Sequence, residues 1–543
     1  MAKTRGAAGT GMDVLVTALT ESGVRRIFGV MGDANLGWLA EWSATPGNVY
    51  IAARHEGGAV AMADGFAADG DSVGVATVTY GPGLLNAVNA LSTAARGGRP
   101  NVLLLGSTPV DRPYHPQRYD HEGLVRATGA VYRRIDEPAR IRGEVERALA
   151  DSLRDGSSIV LDFTAECLAH PAVAQAPAET TLVDAPESQA AARAVAGLLA
   201  AASRPIILAG FGADRAHAEA ALRQVAERTG ARLATTLVAR GLFAGDPRDI
   251  GLFGGFSLPA TRQVIDAADL VLAIGASLNE FTTDGGTLLR GKTVVQVDQH
   301  RRALGRQHPV DLAICADAAE FAAALAAATA DLDPAPLDAG DVPLRLEQRV
   351  DGGDGEGVDP RHALTAIDHW LPEVRTIVTD GGHFIEWPSR YLRASAPRSF
   401  RAALNGGSIA MALPEGLGMA SRGREGVTVA VMGDGGFFMA LTEMETAARE
   451  RIPLLMIVMN DGAYAAEIHK LRALGTTEAA AHFPGAADIA DVARGFGVEA
   501  ITIRSARDLE ALPDVFPLES PFLIDVRVSL AVVSSRLAAG KGH

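Results

Sequence analysis

Gly433-Asp434-Gly435-Gly436 and Asn460 have residue types and a spacing that suit a metal ion beside a phosphate. The pattern predicts a buried strand over Val427–Met432, a helix over Phe437–Glu450 after the glycines, and a second strand over Leu454–Met459 that ends at Asn460. Consecutive parallel strands usually lie close together, and open α/β sheets bind ligands at the carboxyl ends of their strands. A four-residue run of Gly and Asp is by itself typical of a tight turn. The Asn at a second strand end favours a binding site.

Oxygen atoms are the ligands that Mg²⁺ prefers, and it usually shares a few protein ligands with waters and phosphates. The carboxylate of Asp434 and the amide oxygen of Asn460 supply two such ligands, and a backbone carbonyl near Gly462 supplies a third. Glycines at 435 and 436 allow backbone N–H groups to approach a phosphate at a helix N-terminus. These residues therefore predict an Mg²⁺-bound diphosphate site.

With Asn460 placed 26 positions after Asp434 (460 − 434), the pattern resembles the signature of thiamine-diphosphate-dependent enzymes. The resemblance extends over nearly the whole chain, towards the acetolactate synthase and pyruvate decarboxylase-like group. It implies thiamine diphosphate and Mg²⁺ as cofactors. By this resemblance Asp434, Asn460 and the Gly462 carbonyl hold the metal, and Gly435 and Gly436 lie beside the diphosphate.

Two segments near the N-terminus resemble the family's aminopyrimidine side. Arg54–Val60 matches the motif around the catalytic glutamate, which implies that Glu56 hydrogen-bonds N1′ of the ring. A Glu at the start of a helix is otherwise typical of an N-terminal cap. Thr79–Gly83, followed by a helix predicted over Leu84–Ala95, resembles the Gly-Pro-Gly loop, which implies that Gly81 lines the cofactor cleft.

Two C-terminal segments complete the expected cofactor site. Thr379–His383, with Trp387, resembles the loop beside the diphosphate, which implies that Gly382 and His383 lie there. Gly407–Pro414 resembles the segment that bends the cofactor. By that resemblance the backbone of Gly407 and Ile409 binds the pyrimidine, and the Ile409 side chain wedges between the two rings.

Signs of the reaction type are mixed. The loop of Asp33 resembles a pyruvate decarboxylase loop in which the matching Asp handles protons, but the decarboxylase His-His pair is missing. Instead, His115 is a candidate single proton-transfer group, with His121 as a second, and Gln117 resembles an acetolactate synthase glutamine. Decarboxylases carry a Glu six residues after the metal Asn, whereas here Glu467 lies one position further, turned by about 100° on a helix.

We therefore expect a carboligase of the acetolactate synthase-like group that forms acyloins or hydroxyketones from a 2-oxo acid or aldehyde donor. Non-oxidative 2-oxo acid decarboxylation is the alternative, a flavin-linked oxidase is a third reading, and a catalytically idle regulatory homologue is a reading of another class. Gly275-Ala276-Ser277 stands where acetolactate synthases have an Arg near the substrate, which argues against true acetohydroxyacid synthesis and, with it, against the FAD that many of those enzymes carry. Ala209–Gly212 contains a Gly-x-Gly after a strand, a weak sign of a bound nucleotide.

Short apolar runs alternate with helical patterns along the whole chain, which predicts parallel sheets covered on both faces. We expect three doubly wound α/β domains. They are an aminopyrimidine-binding domain at residues 10–170, a central domain at 188–332 and a diphosphate-binding domain at 358–530, joined by linkers at His170–Ser188 and Leu332–Pro360. Val30-Met31-Gly32-Asp33 recurs as Val431–Asp434, a weak hint that the first and third domains share a fold.

A formal charge of −15 argues against a nucleic-acid partner, since such proteins need clustered Lys and Arg. The two cysteines, Cys167 and Cys315, form no disulfide framework or zinc site and are expected to be buried. No apolar stretch is long enough for a membrane span, and Met1–Gly11 has no apolar core, so a cytoplasmic protein is expected. The family resemblance implies small 2-oxo acid or aldehyde substrates and a homodimer or homotetramer.

Overall fold

A computed structural model of the protein describes residues 9–112, 114–171, 188–335 and 357–535. Its strands form three six-stranded sheets in which neighbouring strands are parallel. The predicted α/β class with three doubly wound sheets is confirmed. Each sheet falls inside one of the predicted domains, while their limits at 10–170, 188–332 and 358–530 stay predictions. Most of the two predicted linkers lies outside the described residues.

The first sheet contains strands that are buried on both faces. Its strands are β1 (Arg26–Gly29), β2 (Val49–Ala52), β3 (Gly74–Val78), β4 (Asn101–Gly106), β5 (Val131–Ile135) and β6 (Ser158–Phe163). Its helices are α1 (Gly11–Glu21), α2 (Leu36–Ala44), α3 (Glu56–Phe66), α4 (Pro82–Gly97), α5 (His121–Thr128), α6 (Ile141–Asp155) and α7 (Ala165–Ala169). The strand order is β2-β1-β3-β4-β6-β5. Every residue of β3, β4 and β6 is buried, as expected for strands between two helix layers.

The middle sheet has a different topology. Its strands are β7 (Pro205–Ala209), β8 (Arg232–Thr235), β9 (Asp249–Leu252), β10 (Leu270–Ile274), β11 (Thr293–Asp298) and β12 (Leu312–Cys315). Its helices are α8 (Ser188–Ala201), α9 (Phe211–Arg215), α10 (Glu219–Thr229), α11 (Pro259–Ala267), α12 (Glu280–Thr283) and α13 (Ala318–Ala328). The order β9-β8-β7-β10-β11-β12 reverses direction between β7 and β10, where such sheets open a crevice at their carboxyl edge.

The third sheet repeats the topology of the first. Its strands are β13 (Arg375–Thr379), β14 (Phe400–Ala402), β15 (Val427–Gly433), β16 (Leu454–Asn460), β17 (Glu499–Ile503) and β18 (Phe522–Arg527). Its helices are α14 (Pro360–Trp370), α15 (Glu386–Tyr391), α16 (Ala412–Ala420), α17 (Asp434–Met439), α18 (Glu443–Arg449), α19 (Ala465–Ala473), α20 (Ile489–Gly495) and α21 (Ala506–Leu509). The order β14-β13-β15-β16-β18-β17 matches that of the first sheet strand for strand.

The common topology confirms that the first and third domains share a fold, although the sequence echo marks different places in it. Val30–Asp33 follows β1, the first strand of its sheet, whereas Val431–Asp434 spans the end of β15, the third strand of its own. The topological counterpart of Gly433-Asp434 is instead the segment Thr79–Gly81, which follows β3.

The first and third domains pack on each other through one continuous apolar core. This core includes Val60 and Met62 of α3, Leu413 and Leu417 of α16, and Leu454 of β16, all at most 1% exposed. The opposite faces of the two sheets and both faces of the middle sheet have separate cores. The two domains with candidate cofactor residues therefore form one packed unit.

Two sequence expectations are wrong. The helix predicted over Phe437–Glu450 is two helices: α17 begins at Asp434, and α18 begins only at Glu443. The interruption turns the buried Glu443 carboxylate towards the first domain, where it accepts the backbone N–H of His55 at 3.0 Å. Cys315 is exposed, because it ends β12 at the edge of the middle sheet, whereas Cys167 is buried as expected.

Among the described helices, none is both long and apolar enough to cross a bilayer.

Candidate active site

Two adjacent strand ends bring Asp434 and Asn460 together. β15 and β16 pair in register up to Gly433 and Met459, so the next residues, Asp434 and Asn460, leave neighbouring strands at the same edge. Asp434 is the first residue of α17 with Gly433 as N-cap, and both Asp434 and Asn460 are about 95% buried, at 5% and 4% exposed. The structure thus places the two side chains beside each other, as the strand pattern predicts.

The electrostatics of this edge suit a divalent cation. Burial raises the pKa of Asp434 to about 6, and burial together with the Asp434 carboxylate raises the pKa of Asp461 well above its ordinary value. Among the residues that the structure describes, the buried Asp461 Oδ1 atom has no hydrogen-bond partner. A bound cation would offset the cost of two neighbouring buried carboxylates, so the residues present fit Mg²⁺.

The orientation of the Asn460 amide is fixed by its neighbours. Its Nδ2 donates to Asp525 Oδ1 at 2.9 Å, and its Oδ1 accepts the Gly462 N–H at 3.1 Å. Gly462 has φ +68°, a left-handed turn that favours glycine. The described residues contain no group of three or more His, Cys, Asp or Glu suited to a metal.

The loop after β13 lies against the glycines after β15. A Cβ atom on Gly436 would come within 2.6 Å of Asp380 Oδ2, so Gly436 is in close contact with the loop that begins at Asp380, whereas a Cβ on Gly435 would meet the Tyr464 ring. This is the point where the strand order reverses, between β13 and β15. Gly382 has φ +129° and caps the short helical turn that begins at His383.

His383 is more constrained than the sequence indicated. It is 6% exposed, its Nε2 accepts the Ser534 N–H at 2.9 Å, and its ring lies 4.5 Å from the His469 ring. The Nε2 atom is thus already engaged by backbone, and a phosphate contact by this side chain stays a prediction. Neither Ser534 nor His469 belongs to a recognisable motif, so the sequence did not indicate these contacts.

The segment with Gly407 and Ile409 is held by Asp380. The carboxylate of Asp380 accepts the Ala410 N–H at 2.6 Å and the Met411 N–H at 3.3 Å, and burial raises the pKa of Asp380 to about 7. Gly407 has φ +73° and is exposed, and Ile409 is half-buried. Ile409 Cγ2 lies 3.6 Å from the position of a Cβ on Gly381, so Ile409 and the Asp380–His383 loop form one wall.

Glu56 is the first residue of α3, where its carboxylate meets α4. His55 is the N-cap and its side chain accepts the Gly57 N–H at 3.0 Å. The half-buried Glu56 accepts a hydrogen bond from Asn86 Nδ2 at 3.0 Å through Oε2. The carboxylate at the helix start is thus held by a side chain of α4.

Helix α4 also reaches the third domain. One turn after Asn86, Asn89 Oδ1 accepts the Ser408 hydroxyl at 2.6 Å, between Gly407 and Ile409. The expected aminopyrimidine residue Glu56 and the expected ring-contacting residue Ile409 therefore lie beside the same exposed stretch of α4 within a single chain.

Two candidate reaction-directing residues, Asp33 and His115, lie beside Tyr80, which no sequence motif marks, and Gln117 lies against the next residue, Gly81. Burial, the largest cause, and the neighbouring Asp33 carboxylate raise the pKa of Tyr80. The His115 ring stands edge-on to the Tyr80 ring at 5.5 Å. A Cβ on Gly81 would overlap the carbonyl oxygen of Gln117. The sequence signal that could have marked Tyr80 is its place in the loop after β3, which is the topological counterpart of Gly433-Asp434.

His121 is buried behind this loop with both ring nitrogens engaged. Its Nε2 accepts the Gly81 N–H at 3.1 Å, and its Nδ1 faces Asp162 Oδ2 at 3.0 Å. Asp162 also accepts the hydroxyls of Ser107 and Tyr132, both at 2.7 Å. These partners come from three different strands or strand ends, so no local motif marks them in the sequence.

Glu467 belongs neither to the edge of Asp434 and Asn460 nor to the surroundings of Tyr80. It lies on the outer face of α19 with its side chain 55% exposed and 3.5 Å from Lys470, whereas Ala466 is buried. The one-residue shift noted in the sequence thus turns the carboxylate outwards.

A large cleft of about 1300 Å³ opens at the carboxyl edge of the middle sheet. It is lined by the loops after β7 and β10, including Phe211, Gly212 and Gly275, and by Arg99 and Arg154 of the first domain. Gly210 and Gly275 pack so closely that a Cβ on either would overlap the other loop's backbone. Close packing of the two loops therefore explains why glycines occur in the Gly-x-Gly segment. A nucleotide bound there stays a prediction.

The third domain has an acidic, glycine-lined edge, and the first has a helix that begins at the half-buried Glu56. On three doubly wound domains, these features are typical of a cofactor-dependent α/β enzyme. Three family models match this chain. They are "Thiamine pyrophosphate enzyme, N-terminal TPP binding domain" at residues 9–124, the central domain at 192–325 and the C-terminal TPP binding domain at 380–526. The chain belongs to the thiamine pyrophosphate enzyme family, and its cofactors are thiamine diphosphate with the family's usual Mg²⁺.

Curated relatives are similar over almost the full length. A sulfoacetaldehyde acetyltransferase of Castellaniella defragrans is 26% identical over 92% of this chain and 89% of its own. The acetolactate synthase isozyme 1 large subunit of Escherichia coli is 25% identical over 96% of this chain and 94% of its own. A solved thiamine-diphosphate-dependent 4-hydroxybenzoylformate decarboxylase of Rhodococcus jostii has a TM-score of 0.81 at 20% identity, covering 96% of this chain and 99% of its own, which establishes the common fold.

Proposed function

We propose that this enzyme is an acetolactate synthase-like carboligase, which transfers a carbon unit from a 2-oxo acid or aldehyde donor to a second carbonyl compound. The observation that carries the proposal is the geometry of α19. The position six residues after Asn460 is the buried Ala466, and the next carboxylate, Glu467, is turned to solvent and paired with Lys470. Within the described helix α19, no carboxylate therefore faces inwards to protonate the reacting carbon.

Bound thiamine diphosphate supplies a carbanion for addition to a carbonyl and an electron sink for C–C cleavage. The protein decides the fate of the resulting carbon centre. A well-placed acid favours release of an aldehyde, whereas a site without one favours capture by a second carbonyl, which gives a hydroxyketone. The names of the curated relatives, an acetyltransferase and a synthase, support transfer over simple release.

The roles of the individual residues in this proposal follow from their place in the first and third domains. We propose that Glu56 hydrogen-bonds N1′ of the aminopyrimidine, with Gly81 lining that part of the cleft. Asp434, Asn460 and the Gly462 carbonyl would hold Mg²⁺. The diphosphate would lie against residues of the two contacting loops, namely Gly382, His383, Gly435 and Gly436. Gly407 and Ile409 would contact the rings.

Decarboxylation remains the second candidate, and the surroundings of Tyr80 favour it. Asp33 and His115 both contact Tyr80, so two titratable groups lie beside one loop. If they face the reacting carbon, they supply the acid that α19 lacks. FAD receives no support, and a catalytically idle homologue is the alternative of another class, which turnover distinguishes.

A homodimer or homotetramer is also proposed. Several large apolar side chains next to the candidate site are exposed, namely Met31 and Leu36 beside Asp33, Leu85 on α4, and Phe438 and Met439 on α17. A second copy that covers these residues would exclude water from the site. Sedimentation measurements with and without cofactor test this, and a monomer that turns over at full rate would contradict it.

The experiment is to reconstitute the protein with thiamine diphosphate and Mg²⁺, supply 2-oxo acids with and without aldehyde acceptors, and identify the products by NMR. We expect coupled hydroxyketones as the main products. The matched variants are Glu467→Gln, which should leave the product ratio unchanged, and Ala466→Glu, which should shift it towards free aldehyde. Free aldehyde from the wild type as the main product, with a loss of activity in Glu467→Gln, would instead establish a decarboxylase.

Metal binding is tested separately. Asp434→Ala should weaken Mg²⁺-dependent cofactor retention by at least tenfold in equilibrium dialysis, because it removes the charged ligand. Glu467→Gln serves as the control at an exposed carboxylate. An unaltered affinity in Asp434→Ala would contradict the metal assignment.

A further inference from the structure

A buried hydrogen-bond network lies behind the Tyr80-Gly81 loop, and its members come from distant parts of the first domain. His121 and Asp162 are 6% and 0% exposed. Asp162 accepts hydrogen bonds from Ser107 Oγ on Oδ1 and from Tyr132 Oη on Oδ2, both at 2.7 Å. With His121 Nδ1 at 3.0 Å from Oδ2, the carboxylate has three partners.

This arrangement fixes the tautomer of His121. The backbone N–H of Gly81 can only donate, so the Nε2 atom that receives it must be unprotonated. The proton of the neutral ring then lies on Nδ1 and is donated to Asp162, which is the usual way a carboxylate orients a histidine. Both nitrogens are used, so His121 has no atom left for proton transfer to a substrate.

The Gly81 N–H lies at a junction of two parts of the site. Gly81 is the N-cap of α4 with φ +60° and ψ −110°, and a side chain there would overlap the Gln117 carbonyl. Immediately before it, Tyr80 contacts Asp33 and His115. The conformation at Gly81 therefore sets the direction of the Tyr80 ring relative to the reaction-directing residues.

After Gly81, the same turn sets the start of α4. Asn86, in the second turn of this helix, donates to Glu56 Oε2 at 3.0 Å. A Cβ on Gly83 would lie 3.6 Å from Glu56 Oε1, so the first turn of α4 passes directly beside the Glu56 carboxylate. A shift of the helix start by a few tenths of an ångström would move both contacts.

We propose that His121, oriented by Asp162, is a positioning residue that locks the Tyr80-Gly81 turn, and through it places the partner of Glu56 and the surroundings of Asp33. The inference rests on the proposed role of Glu56 towards thiamine diphosphate. It replaces the expectation that His121 transfers protons: the residue acts through the backbone of Gly81 and touches no reacting atom.

Two substitutions separate the acceptor from the rest of the side chain. His121→Gln places an amide oxygen near the former Nε2 and so preserves an acceptor for Gly81. His121→Asn places its polar atoms near the former Nδ1, so it keeps a donor for Asp162 and removes the acceptor. The pair matches in polarity and in the cost of burial, which makes Gln the conservative rescue.

The first measurement needs no cofactor. Hydrogen–deuterium exchange of the peptide covering residues 79–89 is followed by mass spectrometry in the full-length protein. We expect His121→Asn to exchange about tenfold faster than wild type in this peptide, while His121→Gln stays within about twofold. Equal exchange of wild type and His121→Asn would overturn the proposal.

The second measurement uses bound thiamine diphosphate and Mg²⁺, and follows exchange of the thiazolium C2 proton by NMR. His121→Asn should slow this exchange by about 10–100-fold, the size typical of residues that orient a functional group, and His121→Gln should recover most of it. Equal losses in both variants would overturn the positioning role, because they would indicate a general loss of packing.

The double variant Ser107→Ala/Tyr132→Phe provides a milder test that leaves His121 and Gly81 intact. It removes two of the three hydrogen bonds to Asp162, so exchange in residues 79–89 should rise to a value between those of wild type and His121→Asn. If His121→Asn does not fold, this double variant tests the positioning role in its place. Exchange in residues 79–89 at the wild-type rate in the double variant would overturn the role of Asp162. Failure of the wild type to exchange the C2 proton would refute the proposed function, while the peptide exchange would still test the positioning.

Discussion

In this structure the Glu56 carboxylate accepts a hydrogen bond from Asn86, at 3.0 Å between Oε2 and Nδ2. Replacing it by Gln keeps the shape of the side chain and removes the charge that proton exchange with N1′ requires. We expect Glu56→Gln to lower the rate of thiazolium C2 proton exchange, measured by NMR, by about 10²–10⁴-fold. Unchanged exchange and turnover would show that the catalytic assignment is wrong.

Asn86→Ala is the matched control for this prediction. It removes one hydrogen bond to Glu56 but leaves the carboxylate, so its effect on C2 proton exchange should be about tenfold, or about 1.4 kcal/mol. A loss as large as that of Glu56→Gln would place the catalytic charge elsewhere on the cleft wall.

Asp380 gives a prediction on pH. Burial raises the pKa of Asp380 to about 7 in the folded protein, whereas the unfolded chain has a value near the ordinary 3.8. Between these values the folded state holds a proton that the unfolded state has lost, so this group makes the protein less stable as pH rises from about 4 to about 7. Above pH 7 the full cost of a buried charge is present.

Asp380→Asn removes this titration while its amide oxygen still accepts the Ala410 N–H. In cofactor-free protein we expect the variant to show a flatter dependence of the free energy of unfolding on pH, and to exceed the wild type above pH 7 by an amount on the order of 1 kcal/mol. Urea denaturation at several pH values measures this. Parallel pH profiles for the two proteins would mean that Asp380 does not titrate in this range.

At the scale of elements, helices α3 and α16 join the first and third domains by interlocking glycines. A Cβ on Gly418 of α16 would overlap the carbonyl of Met62, and a Cβ on Gly65 of α3 would overlap the carbonyl of Glu415. Each helix thus uses a glycine where the backbone of the other passes. The helix that begins at Glu56 is therefore set directly against the third domain.

Gly418→Ala should lower the free energy of unfolding by about 1–3 kcal/mol, since the added methyl group meets backbone that cannot move without separating the helices. Gly197 is the matched control, because it lies exposed within α8 and a Cβ there meets no atom of the described residues within 4 Å. Gly197→Ala should stabilise by about 0.5–1 kcal/mol, the usual gain in a helix. Chemical denaturation measures both, and equal effects would contradict the close crossing.

Many of the strands and helices, and the site residues at strand ends, could be predicted from the sequence. Continuous apolar strands such as β4 and β16 are recognisable because burial on both faces leaves no polar alternation, and Asp434 and Asn460 follow from the ends of such strands. The break between α17 and α18 could not be predicted, because no local pattern marks it, and the contact of Glu443 with the backbone of His55 joins two domains. The network of His121 and Asp162 was hidden for the same reason: its members meet only through the fold.

At the scale of the whole molecule, Arg398 joins all three domains. From its place before β14 in the third domain, its guanidinium donates to Asp71 Oδ2 of the first domain at 3.0 Å and to Asp214 Oδ2 of the central domain at 3.0 Å. Further bonds reach the carbonyls of Asp69 and Asp214. The residue adopts φ +62°, a conformation that non-glycine residues rarely take, and these contacts offset its cost.

Loss of this junction should loosen the central domain first, because its two large cores are its own and a small cluster of Phe256, Ile385 and Ala402 joins it to the third domain, whereas the first and third domains share one large core. We expect Arg398→Ala to lower the free energy of unfolding by about 1–3 kcal/mol and to separate an early transition of the central domain in calorimetry. Arg424→Ala, which removes an ion pair to Asp69 from a side chain that is 61% exposed, should change stability by less than about 0.5 kcal/mol. A single transition in Arg398→Ala, shifted no more than in Arg424→Ala, would mean that the domains are held together by apolar packing alone.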